Sequence, residues 1–411
     1  MKQYIIVISV ALCLVSCSHR SKHWETLAQV ETYIEERPDS ALNVLQGMDK
    51  GELSGMEEKA KHALLLSMAM DKNYIDRTDF DVLQPAIDFY EDHGSATDKL
   101  RTYYYQGRIY QNAGNDAAAM ESFVNSLDMG SESNDNLTKA RILVAQSNIY
   151  YSLMKWEKVC DVNIEAANYY NELGRTNNYV YCLLRCIGGY IQSNNFDKAK
   201  DLLGKCYQYT ENLPELLISE IYSYHLLYSV AANNFESVPL IIGEYKNKVS
   251  EENIDYLTVA GAYADIGAYD KAEDMLVRIN TKSLEDNNKT LKYYTTLIRI
   301  YRHKGDYRKV YESYLKFNEL NDSILFSIFE SDTQFIEERH ALEMQKAKET
   351  EAKNRLTIIV LACVIALMSS LYILNFIRKR LNETKRKNIQ LEGEKAHYER
   401  MYLEVLSERN A

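Results

Sequence analysis

Six stretches between residues 100 and 320 repeat one pattern, and that repetition restricts the fold more than any other feature of the chain. Gly107, Ser147, Ile187, Leu226, Ala260 and Ile298 occupy equivalent places, 40, 40, 39, 34 and 38 residues apart. In five units a tyrosine follows three residues later: Tyr110, Tyr150, Tyr190, Tyr263 and Tyr301. A short polar turn comes next, then apolar residues at helical spacing, as in Ala119, Phe123 and Ser126 or Ala272, Leu276 and Ile279. The spacing predicts two helices per unit. One helix pair cannot bury its apolar side alone, so such units are stable only when stacked. The whole chain holds only 4 Pro and 16 Gly in 411 residues, which excludes collagen-like and turn-rich β architectures.

Gln106-Gly107-Arg108-Ile109-Tyr110, Gly114-Asn115-Asp116, Ala119 and Phe123 together resemble the tetratricopeptide repeat. The resemblance implies an all-α solenoid, with Ala119 at a close helix crossing and Tyr110 and Phe123 filling the space between helices. Arg37-Pro38-Asp39-Ser40-Ala41-Leu42 reads as the turn and second helix of an earlier unit, with Pro38 suited to a helix start. Residues 57–71 and 79–92 read as another pair, carrying Ala86 and Tyr90. About eight helix pairs are therefore expected within residues 17–318. Residues 319–355 lack Pro and Gly and read as a long capping and stalk helix.

The two ends suggest a membrane. Residues 1–16 read as a signal peptide: Lys2, then an apolar run too short to span as a helix. Leu14-Val15-Ser16-Cys17 resembles the lipobox of bacterial lipoproteins, which implies cleavage before Cys17 and lipid attachment to it. Leu356–Ile377 is an uncharged run of 22 residues. At 1.5 Å per residue it covers about 33 Å, enough for a transmembrane helix. Basic residues flank both sides: Arg378, Lys379 and Arg380 after the run, Lys353 and Arg355 before it. The export signal decides the orientation, placing the solenoid in the periplasm and residues 378–411 in the cytoplasm as a short helix. An apolar helix belongs in the inner membrane, since outer membranes are crossed by barrels.

The layout as a whole is similar to a family of Gram-negative envelope proteins that combine a lipoprotein-type signal, a tetratricopeptide array, one membrane helix and a cytoplasmic helix. Leu64-Leu65-Leu66, Asp71-Lys72-Asn73 and Tyr103 to Tyr110 carry that similarity best. Longer members place a helix-turn-helix or kinase module after the membrane helix. Here 34 residues follow the span, too few for either.

No HExxH, GxxxxGK[ST], GxSxG or GxGxxG motif is present, and no spacing among the 8 His and 7 Cys suggests a metal or cofactor. A binding protein, not an enzyme, is expected. The net charge of −11 gives no general attraction to nucleic acid. Cys160, Cys182, Cys186 and Cys206 read as small buried apolar residues. The tetratricopeptide resemblance implies that first helices line the inner face. Arg101, Tyr104, Arg108 and Gln111 would face it from one unit, and Arg141, Val144, Asn148 and Tyr151 from the next. Lys292, Thr295, Arg299 and Arg302 would face it from the last. Two explanations stay open for these arginines: capture of an acidic peptide or carboxylate terminus, or pairing with nearby Glu and Asp along the array.

Ala362, Ala366 and Ser370 recur every four residues in the membrane run and would allow close helix approach. Ile377, Leu381, Leu391, Tyr398, Tyr402 and Val405 fall on a heptad seam. A homodimer through the membrane and a lone anchor both fit. Two functions follow: a scaffold that binds a protein or peptide and relays occupancy to the cytoplasm, or a passive envelope lipoprotein that assists assembly of other proteins.

Overall fold

The computed structural model describes residues 22–279, 284 and 287–409. The signal segment 1–16 and Cys17 lie outside them. The described residues fall into two units, the first ending at Arg339 and the second beginning at His340.

The described residues of the first unit are mainly helical. Its pairs are α1 (Lys22–Tyr33) with α2 (Pro38–Gln46), α3 (Gly55–Lys72) with α4 (Gln84–His93), and α5 (Ala96–Asn112) with α6 (Asp116–Met129). Then come α7 (Asn136–Ser152) with α8 (Trp156–Glu172), α9 (Thr176–Gln192) with α10 (Phe196–Tyr207), and α11 (Glu215–Ala231) with α12 (Val238–Lys248). The last are α13 (Tyr256–Asp265) with α14 (Tyr269–Val277), and α15 (Asn287–Lys304) with the start of α16 (Tyr307–Arg409). No strand occurs among the described residues. First helices pack on their own second helix and, in most of the array, on the next first helix as well. They form one layer and the second helices the other.

The turn inside each pair explains the repeat. Gly114, Met154, Asn194, Asn233, Gly267 and Gly305 all adopt a positive φ, between 53° and 77°. They stand 40, 40, 39, 34 and 38 residues apart, the same intervals as the sequence pattern. The next residue turns its N–H back to a carbonyl in the last turn of the first helix. Asn115 N donates to Tyr110 O at 2.9 Å, Lys155 to Tyr150 at 2.8 Å, Asn195 to Tyr190 at 2.8 Å and Asp306 to Tyr301 at 3.0 Å. This is the left-handed helix stop that satisfies carbonyls the helix would otherwise leave open. Glycine and asparagine meet its backbone requirement readily; Met154 does so at a cost.

Packing follows from the small positions. Ala119 and Phe123 are fully buried. A Cβ added at Gly107 would lie 2.4 Å from the Phe123 ring, so the ring occupies the space a larger residue would need. Tyr110 reaches the preceding pair, meeting Phe80 edge-on at 4.9 Å. Tyr245 links the sixth and seventh pairs: its buried hydroxyl meets Ser219 Oγ at 2.6 Å and accepts from Asp255 N at 2.9 Å. Cys160, Cys182, Cys186 and Cys206 are buried free thiols.

Two boundaries differ from the sequence reading. The helix expected over 79–92 begins at Gln84, because Pro85 lacks an N–H and has its φ fixed for a first turn. At residue 318 nothing ends the helix: α16 starts at Tyr307, and no Pro or Gly follows until Gly393.

The second unit consists of the α16 residues from His340 onward. It contains a stretch long and apolar enough to cross a membrane. Ala362, Ala366 and Ser370 lie on it with exposed side chains. The Ser370 hydroxyl donates to Ala366 O at 2.8 Å, within its own helix.

Candidate functional site

The first helices bring polar side chains from successive pairs onto one inner layer, in two clusters of different character.

The first cluster is an ion-pair network. α1 and the turn after it supply Glu31 and Glu35, one helical turn apart. Lys61 Nζ reaches Glu31 at 2.8 Å, and Arg101 Nη1 reaches it at 2.7 Å. Arg101 Nε also donates to Asp135 at 2.6 Å. Arg141 grips both oxygens of Glu35, at 2.9 and 2.7 Å, and Lys72 Nζ adds a third contact at 2.7 Å. Arg108 donates to Asp71 at 3.0 Å and to Gln111 Oε1 at 2.6 Å. The Gln111 amide donates in turn to Ala145 O at 3.4 Å.

These groups are partly withdrawn from water, which raises the stakes of each pairing. Burial alone would push the Glu35 carboxyl up; the guanidinium of Arg141 and the ammonium of Lys72 overcome it and hold it at about 2. Lys72 itself is pushed down, because burial and the like charge of Arg141 outweigh Glu35. Arg141, a two-pronged partner, is therefore the principal counter-ion of Glu35. Glu35 and Arg141 are 106 residues apart, so their contact ties the first pair to the fourth across the inner layer.

The structure thus gives Arg101, Arg108 and Arg141 carboxylate partners from within the chain. Tyr104 is 6% exposed and packs against Tyr105 and Phe123, in the core between helices instead of on the inner surface. In the last pair, Lys292 Nζ donates to Thr258 Oγ1 at 2.9 Å, Arg299 pairs with Asp265, and Thr295 donates to Leu291 O within its helix.

The second cluster lies on α7, α9 and α11. The Arg185 guanidinium lies over the Tyr151 ring, 4.1 Å from its centroid. Its Nη2 touches Asn148 Oδ1 at 3.4 Å. Tyr151 is braced edge-on by Trp156 at 5.3 Å. Arg185 Nε is buried without a hydrogen-bond partner, and no carboxylate among the described residues comes within ion-pair distance of Arg185. Tyr181 stands one turn before Arg185. From α11, Tyr224 lies across Gly188, where an added Cβ would be 3.0 Å from the ring. Burial pushes Tyr224 up to about 12, with Arg185 opposing that rise. Glu220 is accessible to solvent, yet surrounding protein strips enough water from it to push its carboxyl up against the pull of Arg185 and Lys289.

Asn148 and Tyr151 were expected here; Tyr181, Arg185, Glu220 and Tyr224 were not. The signal was available, because Arg185 follows Asn148 by 37 residues and Tyr224 follows Arg185 by 39, close to the repeat. Glu31 and Glu35 were also missed. Only their spacing of four, at the end of the opening helix and in the turn after it, marks them.

No family model and no curated protein matches this chain. Solved structures do resemble it. The apo form of RapI superposes with a TM-score of 0.57 at 15% identity, over 79% of this chain and 99% of that one. A Rap protein complexed with Competence and Sporulation Factor gives 0.51 at 15%, over 79% and 93%. NprR in complex with its cognate peptide NprX gives 0.50 at 12%, over 79% and 100%. At such identities the likeness is one of fold. The chain is an all-α, tetratricopeptide-type solenoid followed by a long helix.

Proposed function

We propose that this chain is a non-catalytic, membrane-anchored scaffold whose solenoid holds a protein or peptide partner along its inner layer. The observation that carries the reading is the second cluster: aromatic rings, an arginine without a carboxylate partner and the exposed carboxylate of Glu220, in register on three consecutive first helices. Extended peptides suit such a surface, because side chains in register can meet alternate residues of the guest. Rap and NprR structures solved with a factor and with a cognate peptide support the analogy.

In this reading Arg101, Arg108, Arg141 and Gln111 form one end of the binding layer, with their charges balanced by Glu31, Asp135, Asp71 and Glu35. Asn148 and Tyr151 lead into the second cluster. Residues 1–16 direct export, Cys17 takes a lipid, and 356–377 spans the inner membrane with the solenoid in the periplasm. Ala362, Ala366 and Ser370 face a second copy, and residues 378–411 report occupancy in the cytoplasm. The apolar stretch in α16 supports the anchor.

Deleting residues 381–411 tests the relay. The truncated chain is expected to recover the same periplasmic partner in crosslinked capture while losing the cellular response to it. An unchanged response would make the helix an anchor only.

A further inference from the structure

Arg185 differs from the other inner-layer arginines in what it has left to offer. Arg101, Arg108 and Arg141 each have their fork engaged by a carboxylate. Arg185 has only the long contact to Asn148 and the face of Tyr151, and its Nε is without an acceptor. Stacking on Tyr151 fixes the plane of the guanidinium and leaves an edge for a two-pronged acceptor. Tyr181, one turn before Arg185 on α9, and Tyr224, against Gly188 of the same helix, bring two further hydroxyl groups to the cluster.

We propose that Arg185, framed by Asn148, Tyr151, Tyr181 and Tyr224, is a carboxylate-binding position for an extended peptide, and that Glu220 receives a basic group of the same peptide. This rests on the reading of the inner layer as a peptide site. Glu220 stands exposed one turn before Tyr224 on α11, whose ring lies against Gly188 of the Arg185 helix, and it forms no ion pair with Arg185, so a guest carrying both charges can bridge them. A lone anion would be repelled by Glu220 and a lone cation by Arg185. The selected guest is therefore one with an acid and a base close together. The carboxylate can be a C-terminus or an Asp or Glu side chain.

The test uses the full-length chain in detergent micelles and two synthetic random heptapeptide pools, one with free C-terminal carboxylates and one amidated. Bound peptides are read by mass spectrometry. Wild type is expected to select peptides with a carboxylate and a base at a fixed separation. Selection from the free-acid pool alone assigns the C-terminus, and selection from both assigns a side chain. R185Q, and also R185K, which keeps the charge but loses the fork, should weaken the best peptide by about 10-fold or more. E220Q should remove the preference for the base and keep that for the acid. Unchanged thermal unfolding of R185Q shows that the loss is not one of fold. If R185Q binds the selected peptide within about 2-fold of wild type, the assignment of Arg185 is wrong while the peptide site stands. If wild type selects nothing from either pool, the peptide-site reading itself fails.

Discussion

Glu35→Ala should destabilise the first four helix pairs by about 3–5 kcal/mol, because it leaves Arg141 and Lys72 partly buried without their shared counter-ion. Glu35→Gln should cost nearly as much, since the amide keeps the shape but not the charge. Replacing Glu35 and Arg141 together by leucine should recover much of the loss, as buried ion pairs exchanged for apolar pairs commonly do. Both tryptophans of the chain suit the measurement: Trp24 is on α1 and Trp156 begins α8, one near each end of the tie. Urea unfolding followed by their fluorescence reports on it. A cost below about 1 kcal/mol would mean that the pair behaves as an exposed surface contact.

The same tie sets a pH dependence with a definite sign. The Glu35 carboxyl titrates at about 2 in the folded chain, against 4.5 ordinarily. Its contribution is complete above pH 4.5 and is lost as the pH falls from there toward 2. The full amount is about 3 kcal/mol at most. Urea midpoints at pH 7, 4.5 and 3 should fall together less steeply in Glu35→Gln than in wild type.

Gly107→Val should destabilise the third pair by about 3 kcal/mol or more, because the Phe123 ring already fills the space. The nearest ring atoms would lie 2.4 and 2.6 Å from the first added carbon, and a fully buried ring has nowhere to go. Gly204→Ala is the matched control. Gly204 lies inside α10 with nothing within 4 Å of an added Cβ, so alanine there should stabilise by about 1 kcal/mol through helix propensity. Opposite signs at two helical glycines would separate packing from backbone effects. Hydrogen exchange resolved by helix pair reads both. Equal signs would contradict the placement of Gly107 beneath Phe123.

These glycines also show what the sequence displays and what it hides. The array was legible because one arrangement recurs at a nearly fixed interval: a first helix that in five units ends near a tyrosine, a left-handed turn, then apolar residues at helical spacing. Gly114, Gly267 and Gly305 mark that turn openly. Met154 hides it, since nothing about methionine announces a positive φ. The basic residues of the inner layer were equally visible, because Arg101, Arg108 and Arg141 sit at repeat offsets. Their partners were not. Glu31 lies 70 residues from Arg101 and Glu35 lies 106 from Arg141. No local pattern predicts which acid meets which base across several stacked pairs; the curl of the inner layer decides it. Arg185 stands out only after those pairings are known, because its distinction is the lack of one.

In the proposed reading the partner lies on the inner layer. The most direct measurement places a photoreactive residue at Tyr181 or at Leu240 of the full-length chain in living cells. Tyr181 belongs to the second cluster, and Leu240 is an exposed residue on a second helix, 72% accessible. The expected result is a specific adduct from Tyr181 that is absent from Leu240 and is lost when R185Q is added. An adduct from Leu240 alone, or equal labelling from both positions, would contradict it.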